Sequence, residues 1–171
     1  MKIIIVAFFA AFVLSSCTPV ATAVPMAVNF SFVFTDYSCS TVPFNVLDTN
    51  KGTLIQTPLE ETTSTTITLR LSDSELNDIY QKIAAMDFFS YPADFVIPPE
   101  YVTVTEVPLA TYELSVTNGE NTNTVRWTTG GLAQSEYEKA NQLWELLRLI
   151  KSMIYNHPEY KQLPEPQVGC A

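Results

Sequence analysis

Thr63-Ser-Thr-Thr-Ile-Thr-Leu-Arg-Leu-Ser-Asp-Ser-Glu-Leu-Asn-Asp-Ile-Tyr-Gln-Lys-Ile-Ala-Ala-Met86 changes its period halfway along. Thr63 to Leu69 is threonine-rich and alternates, which puts Ile67 and Leu69 on one face of a strand. Ser72 then stands as a helix N-cap with Glu75 three residues on, the capping-box spacing, and Leu71 and Leu76 flank it as a hydrophobic staple. Leu76, Ile79, Tyr80 and Ile83 recur at helical spacing, and Met86 extends the stripe. This helix is expected to end before Tyr91-Pro92.

Strand patterns lie upstream. Val28, Phe30, Phe32 and Phe34 alternate with Asn29, Ser31, Val33 and Thr35, the signature of a half-buried strand. Phe44 and Val46 begin a second. Asp48-Thr49-Asn50-Lys51-Gly52 is a turn cluster, and Thr53 to Gln56 returns as a third strand, making a hairpin. Downstream, Tyr112, Leu114 and Val116 alternate as a fifth strand, and Val125 and Trp127 mark a sixth. Asn118-Gly119 starts the intervening turn, expected to exceed two residues because polar residues run to Asn123. Glu113 and Arg126 are expected to face each other across the outer face. A last helix, about Gln134 to Asn156, carries Ala140, Leu143, Leu147, Ile150 and Ile154 as a stripe, widened by Trp144, Leu146 and Met153, and His157-Pro158 stops it. Strands, a helix, a hairpin and a helix give an α+β domain: an antiparallel sheet of about six strands with two helices packed on one face.

The N-terminus is not part of that domain. Met1-Lys2 is positive, Ile3 to Leu14 is apolar and uncharged, and Leu14-Ser15-Ser16-Cys17 follows. The run is shorter than the ~20 residues needed to span a bilayer, so it reads as an export signal. The last four residues resemble the bacterial lipobox. That resemblance implies cleavage before Cys17, a diacylglycerol on its sulfur, and anchoring by two or more acyl chains. A plain signal peptide with a chance cysteine is the alternative. Thr18 differs from the Asp that resembles an inner-membrane retention signal in diderm bacteria. The expected organisation is a signal over residues 1–16, lipidated Cys17 with a flexible linker over 17–25, and a single domain over 26–171. The expected location is the cell membrane or outer membrane, lipid-anchored on the extracytoplasmic side.

The chain has 171 residues, with 9 Lys+Arg against 18 Asp+Glu and a formal charge of −9. No basic footprint for nucleic acid exists, and anchoring must come from lipid rather than from attraction to anionic headgroups. With Cys17 assigned to lipid, Cys39 and Cys170 have one intramolecular pairing, so a Cys39–Cys170 disulfide is expected in an oxidising envelope. It would be worth at most ~5 kcal/mol in the chain-entropy picture. Two free thiols, one of them catalytic, are the alternative.

The single histidine, His157, sits where a helix end favours a cation, and no Gly-x-Ser-x-Gly elbow accompanies it. The five glycines form neither a dinucleotide fingerprint nor a phosphate loop, so no cofactor is expected. Asp48 to Gly52 fails as a calcium loop because Lys51 and Gly52 occupy ligand positions, and no metal site is expected. Glu60-Glu61 reads as a solvated pair, though carboxylates distant in sequence could still converge. The connection 91–108, with Pro92, Pro98, Pro99 and Pro108, is long and irregular. Tyr91, Phe95 and Tyr101 on it are the candidate binding loop, against the alternative that they complete the core.

The whole pattern also resembles small uncharacterised bacterial lipoproteins, through Tyr37-Ser38-Cys39 ending an early strand, the Leu71-Ser72 and Glu75-Leu76 helix start, Phe88-Phe89 after that helix, and a cysteine near the C-terminus. That family carries no activity to transfer. The expectation is a non-enzymatic binding or envelope-accessory domain, with an envelope protein as the partner class. The alternative is an inhibitor or immunity-type lipoprotein acting on an envelope enzyme through the 91–108 loop. A hydrolase using scattered carboxylates is the third reading.

Overall fold

The computed structural model describes residues 24–38, 40–58, 63–101, 110–129 and 137–163. The elements are β1 (Phe30–Ser38), β2 (Asn45–Asp48), β3 (Thr53–Gln56), β4 (Thr65–Thr68), α1 (Asp73–Ala85), β5 (Thr111–Asn118), β6 (Asn121–Thr128) and α2 (Glu138–Asn156). The strands form one open antiparallel sheet in the order β4-β3-β2-β1-β5-β6, the α+β architecture expected from the sequence.

Register explains how that sheet meets the helices. Phe34 of β1 is opposite Leu47 of β2 and Leu114 of β5; Leu47 is opposite Leu54, Leu54 opposite Ile67, and Leu114 opposite Val125. One apolar row therefore crosses all six strands. Ile79 and Ile83 of α1 and Leu143, Leu147, Ile150 and Ile154 of α2 are buried in the same core cluster. Each such side chain stabilises the fold by roughly 1.5–3 kcal/mol when fully buried. The opposite face carries hydroxyls, with Thr124 donating to Ser115 at 2.9 Å and the Thr117 and Thr122 hydroxyls 3.1 Å apart.

The local signals are realised physically. The Ser72 hydroxyl accepts the Glu75 N–H at 3.3 Å, and the Glu75 carboxylate accepts the Ser72 N–H at 2.8 Å, completing the capping box. Gly52 closes the β2–β3 turn with φ +65°, and a Cβ there would meet the Arg70 side chain at 2.8 Å. In the same turn Asp48 accepts the Lys51 N–H at 3.0 Å and pairs with its ammonium at 2.8 Å.

Several expectations are corrected. β1 begins at Phe30, and Val28 is exposed. The inward residues of β2 are Asn45 and Leu47 rather than Phe44 and Val46, because Phe44 is buried one position before the strand, where its N–H donates to Asp36 O at 2.7 Å. The β5–β6 turn is the two-residue Gly119-Glu120, with Asn118 opposite Asn121. Gly119 takes φ +64° at the first central position, where tight hairpins want glycine. The polar run to Asn123 is strand. Thr122 and Thr124 face solvent, and Asn123 turns inward to donate to Phe88 O at 3.1 Å and Tyr91 O at 3.2 Å. α1 ends before Tyr91-Pro92 as expected, at Ala85, and the left-handed Asp87 (φ +52°) leads into a 3-10 turn, Phe88–Ser90. α2 starts at Glu138 rather than Gln134.

Candidate functional site

Two residue pairs toward the β1 C-terminus, a second row crosses the sheet on the helix-covered face: Thr65, Gln56, Asn45, Asp36, Tyr112 and Trp127 on successive strands. This row is largely polar. Gln56 and Asn45 are buried with it, and Asp36 is only 1% exposed. Ser38 closes β1 at a register shift with a positive φ of 47°. Asp36 Oδ1 holds it there, accepting the Ser38 N–H at 2.7 Å and hydroxyl at 3.1 Å.

Helix α2 and the segment after it lie on this row. Lys151 Nζ is 3.1 Å from Asp36 Oδ2 and donates to the Tyr112 hydroxyl at 3.2 Å. The same ammonium lies 5.1 Å from the Tyr112 ring centroid and 5.5 Å from that of Tyr155. Tyr160, which follows α2, accepts from Gln56 Nε2 at 3.4 Å. Asn45 Oδ1 and the Trp127 indole N–H are buried, with no hydrogen-bond partner among the described residues.

Electrostatics decide what the cluster can do. Burial alone would lower the Lys151 ammonium, but Asp36, with Tyr112 and Tyr155, outweighs it and holds Lys151 well above the usual lysine range. Burial raises the Tyr112 phenol, with Asp36 adding to it and Lys151 partly opposing. Burial likewise raises Tyr155 and Tyr160. At neutral pH the group is thus a fixed cation among neutral phenols. The ammonium is spent on Asp36 and Tyr112, and the cluster holds neither a free amine nor a phenolate to act as base or nucleophile.

Beside this cluster an open groove of about 590 Å³ runs along α2, in the size range of ligand sites. Trp144, Leu147, Arg148, Lys151 and Tyr155 line it from the helix, and Tyr112 from β5. Glu145 also lines it and pairs with Lys82 of α1. Arg148 is exposed and acts on the Glu145 carboxylate three positions before it on α2. A smaller cavity of about 390 Å³ lies where residues 94–97 meet the end of β6.

The residues singled out from sequence fall elsewhere. Of the three rings of the candidate binding loop two are covered: Tyr91 is 4% and Phe95 7% exposed, and both belong to the core cluster. Tyr91 donates to Gln142 at 2.8 Å with Lys139 over its ring, and Phe95 stacks on Tyr137 at 6.1 Å. The backbone explains the burial, because Phe95 N–H donates to Arg126 O at 2.8 Å and Arg126 N–H to Ala93 O at 2.7 Å, sewing this segment to the β6 edge. Tyr101 alone stands out, 36% exposed and stacked on Tyr137 at 5.2 Å. Glu113 and Arg126 are cross-strand partners, but the guanidinium lies over Tyr37, 5.1 Å from its centroid. His157 caps α2 with Nε2 3.2 Å from Arg70 O and Nδ1 2.6 Å from Glu159. Cys17, Cys39, Cys170 and Glu60-Glu61 lie outside the described residues, as do 102–108 of the candidate loop. Among the described residues no three His, Cys, Asp or Glu side chains converge as metal ligands, and no helix is long and apolar enough to cross a membrane.

Sequence reasoning did not single out Asp36, Tyr112, Trp144, Arg148, Lys151 or Tyr155 as a site. A signal was present: Asp36 continues the inward phase of Phe32 and Phe34, and Lys151 falls four residues after Leu147 and three before Ile154, inside the apolar stripe. Searches against protein-family models and curated proteins return no match for this chain.

Proposed function

We propose that this chain is a lipid-anchored extracytoplasmic binding domain that works without catalysis, and that the groove along α2 is where it binds. The address rests on Leu14-Ser15-Ser16-Cys17, with Cys17 as the lipidated residue and the membrane as its first partner. A Cys39–Cys170 disulfide belongs to the same reading.

The observation that carries the binding role is the composition of the groove. Three aromatic side chains, the Arg148 guanidinium and the Glu145 carboxylate line a concavity whose one lining ammonium is already committed to Asp36. Aromatic and Arg side chains in concave sites are the usual anchors of recognition. The inhibitor reading through Tyr91, Phe95 and Tyr101 has less to stand on, since two of those rings are inside the core.

Crosslinking of the lipidated protein in its native envelope, followed by capture and mass spectrometry, tests the reading. A stoichiometric partner captured by the wild type and lost in Trp144→Ala, with folding intact, is the expected result. Robust turnover by the purified domain, abolished by one side-chain change, would overturn the non-catalytic reading. A partner retained by Trp144→Ala would move the site away from the groove.

A further inference from the structure

We infer that Gln81 clasps the lipid tether to α1 and so turns the α1 edge of the domain toward the bilayer, with Val24, Val28, Ala84 and Ala85 against neutral lipid headgroups. This rests on the reading of Cys17 as the lipidated residue and adds which side of the domain meets the membrane.

The described chain begins at Val24, and its backbone is already held there. The Val24 N–H donates to Gln81 Oε1 at 3.1 Å, and the Val24 carbonyl accepts from Gln81 Nε2. Gln81 Nε2 also donates to Asn77 Oδ1 at 3.3 Å, one turn earlier on α1, which steadies the amide. One side chain thus holds both polar backbone groups of a residue that lies outside every helix and strand. Val24 is seven residues after Cys17, roughly 24 Å at full stretch. A domain of about 150 residues has a radius of gyration of about 15 Å, so a lipid that close keeps the α1 edge down. Without the clasp the next fixed point is the turn in which the Phe30 N–H donates to Ala27 O at 3.2 Å, and the tether gains length and freedom.

The surface around the clasp suits a bilayer. The Phe30 ring lies edge-on to Tyr80 at 5.1 Å, which puts the start of β1 beside α1. Val28 is fully exposed and Val24 48% exposed. Ala84 and Ala85 are exposed too, and at three and four residues after Gln81 they share its helix face. Asp78 and Asp87 bound this uncharged stretch of helix surface on either side along the chain. Their carboxylates are repelled by acidic lipid, so neutral headgroups are the fit and apolar contact supplies the hold. The α2 groove lies elsewhere. Its Lys151 reaches Asp36, six residues along β1 from Phe30 and roughly 20 Å away. The groove therefore stands off the membrane while the α1 edge meets it.

The test places the lipidated chain in phosphatidylcholine vesicles that carry a diazirine close to the headgroup. Irradiation labels the protein where it touches lipid, and mass spectrometry maps the labels and reports the lipid on Cys17. The expected result is labelling at Val28 and at Ala84-Ala85, and none at Trp144 or Arg148. Gln81→Ala, with circular dichroism showing the fold intact, should lose that bias and spread the label over other faces. Val28→Asp, a change at a fully exposed position, should lower the label at Ala84-Ala85 as well. Even labelling in the wild type, labelling centred on Trp144, or a pattern unchanged by Gln81→Ala overturns the inference. A chain without lipid on Cys17 overturns the anchoring reading and the orientation with it, whereas a lipidated chain labelled evenly overturns the orientation alone.

Discussion

Replacing Lys151 with methionine removes the charge while keeping most of the stem that packs against Tyr112 and Tyr155. What remains is Asp36, 1% exposed, with the Ser38 N–H and hydroxyl as its hydrogen-bond donors. Removing one partner of a buried ion pair costs about 3–5 kcal/mol, because the other charge stays desolvated and unpaired. The Ser38 donors already satisfy Oδ1, so the low end, about 3 kcal/mol, is expected at neutral pH. In a domain of this size that corresponds to a Tm lower by roughly 6–12 °C. The pH dependence makes the test specific. An unpaired buried carboxylate holds its proton more tightly in the folded than in the unfolded chain, so the variant regains stability as pH falls below the folded value. Urea titrations of wild type and Lys151→Met at pH 7.5 and pH 4.5 should therefore show a smaller gap at the lower pH, and Asp36→Asn combined with Lys151→Met should recover much of the loss. A neutral-pH loss under about 1 kcal/mol, or a gap that does not narrow on acidification, would refute the account of Asp36 as a charge that depends on Lys151.

Three further outcomes follow from the same structure. Lys151, Tyr112, Tyr155 and Tyr160 all hold their protons more tightly when folded; their contribution is complete below about pH 10 and lost as pH rises beyond it, so tyrosinate absorbance and loss of circular dichroism should rise together in strong alkali. Ionisation of these phenols with the fold intact would contradict that. Asn123→Ala removes the side-chain donor from Tyr91 O and one of the two donors from Phe88 O, which keeps the Tyr91 N–H, and should cost about 1–3 kcal/mol in chemical denaturation. Phe95→Ala should cost about 3–5 kcal/mol and Tyr101→Ala under about 1 kcal/mol; similar losses at the two positions would show that the burial assigned to Phe95 is wrong.

The order and type of the elements could be read from the chain because each has a local cause. Ser72 and Glu75 cap a helix wherever it packs, and Phe32 and Phe34 alternate because their strand has one covered face. The phase of β2 could not be read. Phe44 and Val46 outrank Asn45 in hydrophobicity, yet Asn45 is the residue placed opposite Asp36, and the polar row recruits it inward. Residues 91–95 misled for a related reason, since a Pro-containing segment without a strand pattern still gains backbone partners from the β6 edge and buries its rings. The Lys151–Asp36 pair joins positions 115 residues apart. Each member breaks an apolar pattern on its own, and the pair becomes a site only when α2 lies across β1.

The sheet order also sets when the molecule can close. β1 is the first strand in the chain, yet it lies between β2 and β5, and its longest ladder runs from Phe30 opposite Asn118 to Ser38 opposite Thr111. The first four strands can form a meander by neighbour-to-neighbour hairpins, but one flank of β1 stays open until β5 emerges. Pairings so distant along the chain make folding slow relative to helical domains of equal size. Until that late strand docks, Phe32 and Phe34 lack half of their cover. A nascent or threading chain therefore keeps one flank of β1 open until Thr111–Asn118 has emerged.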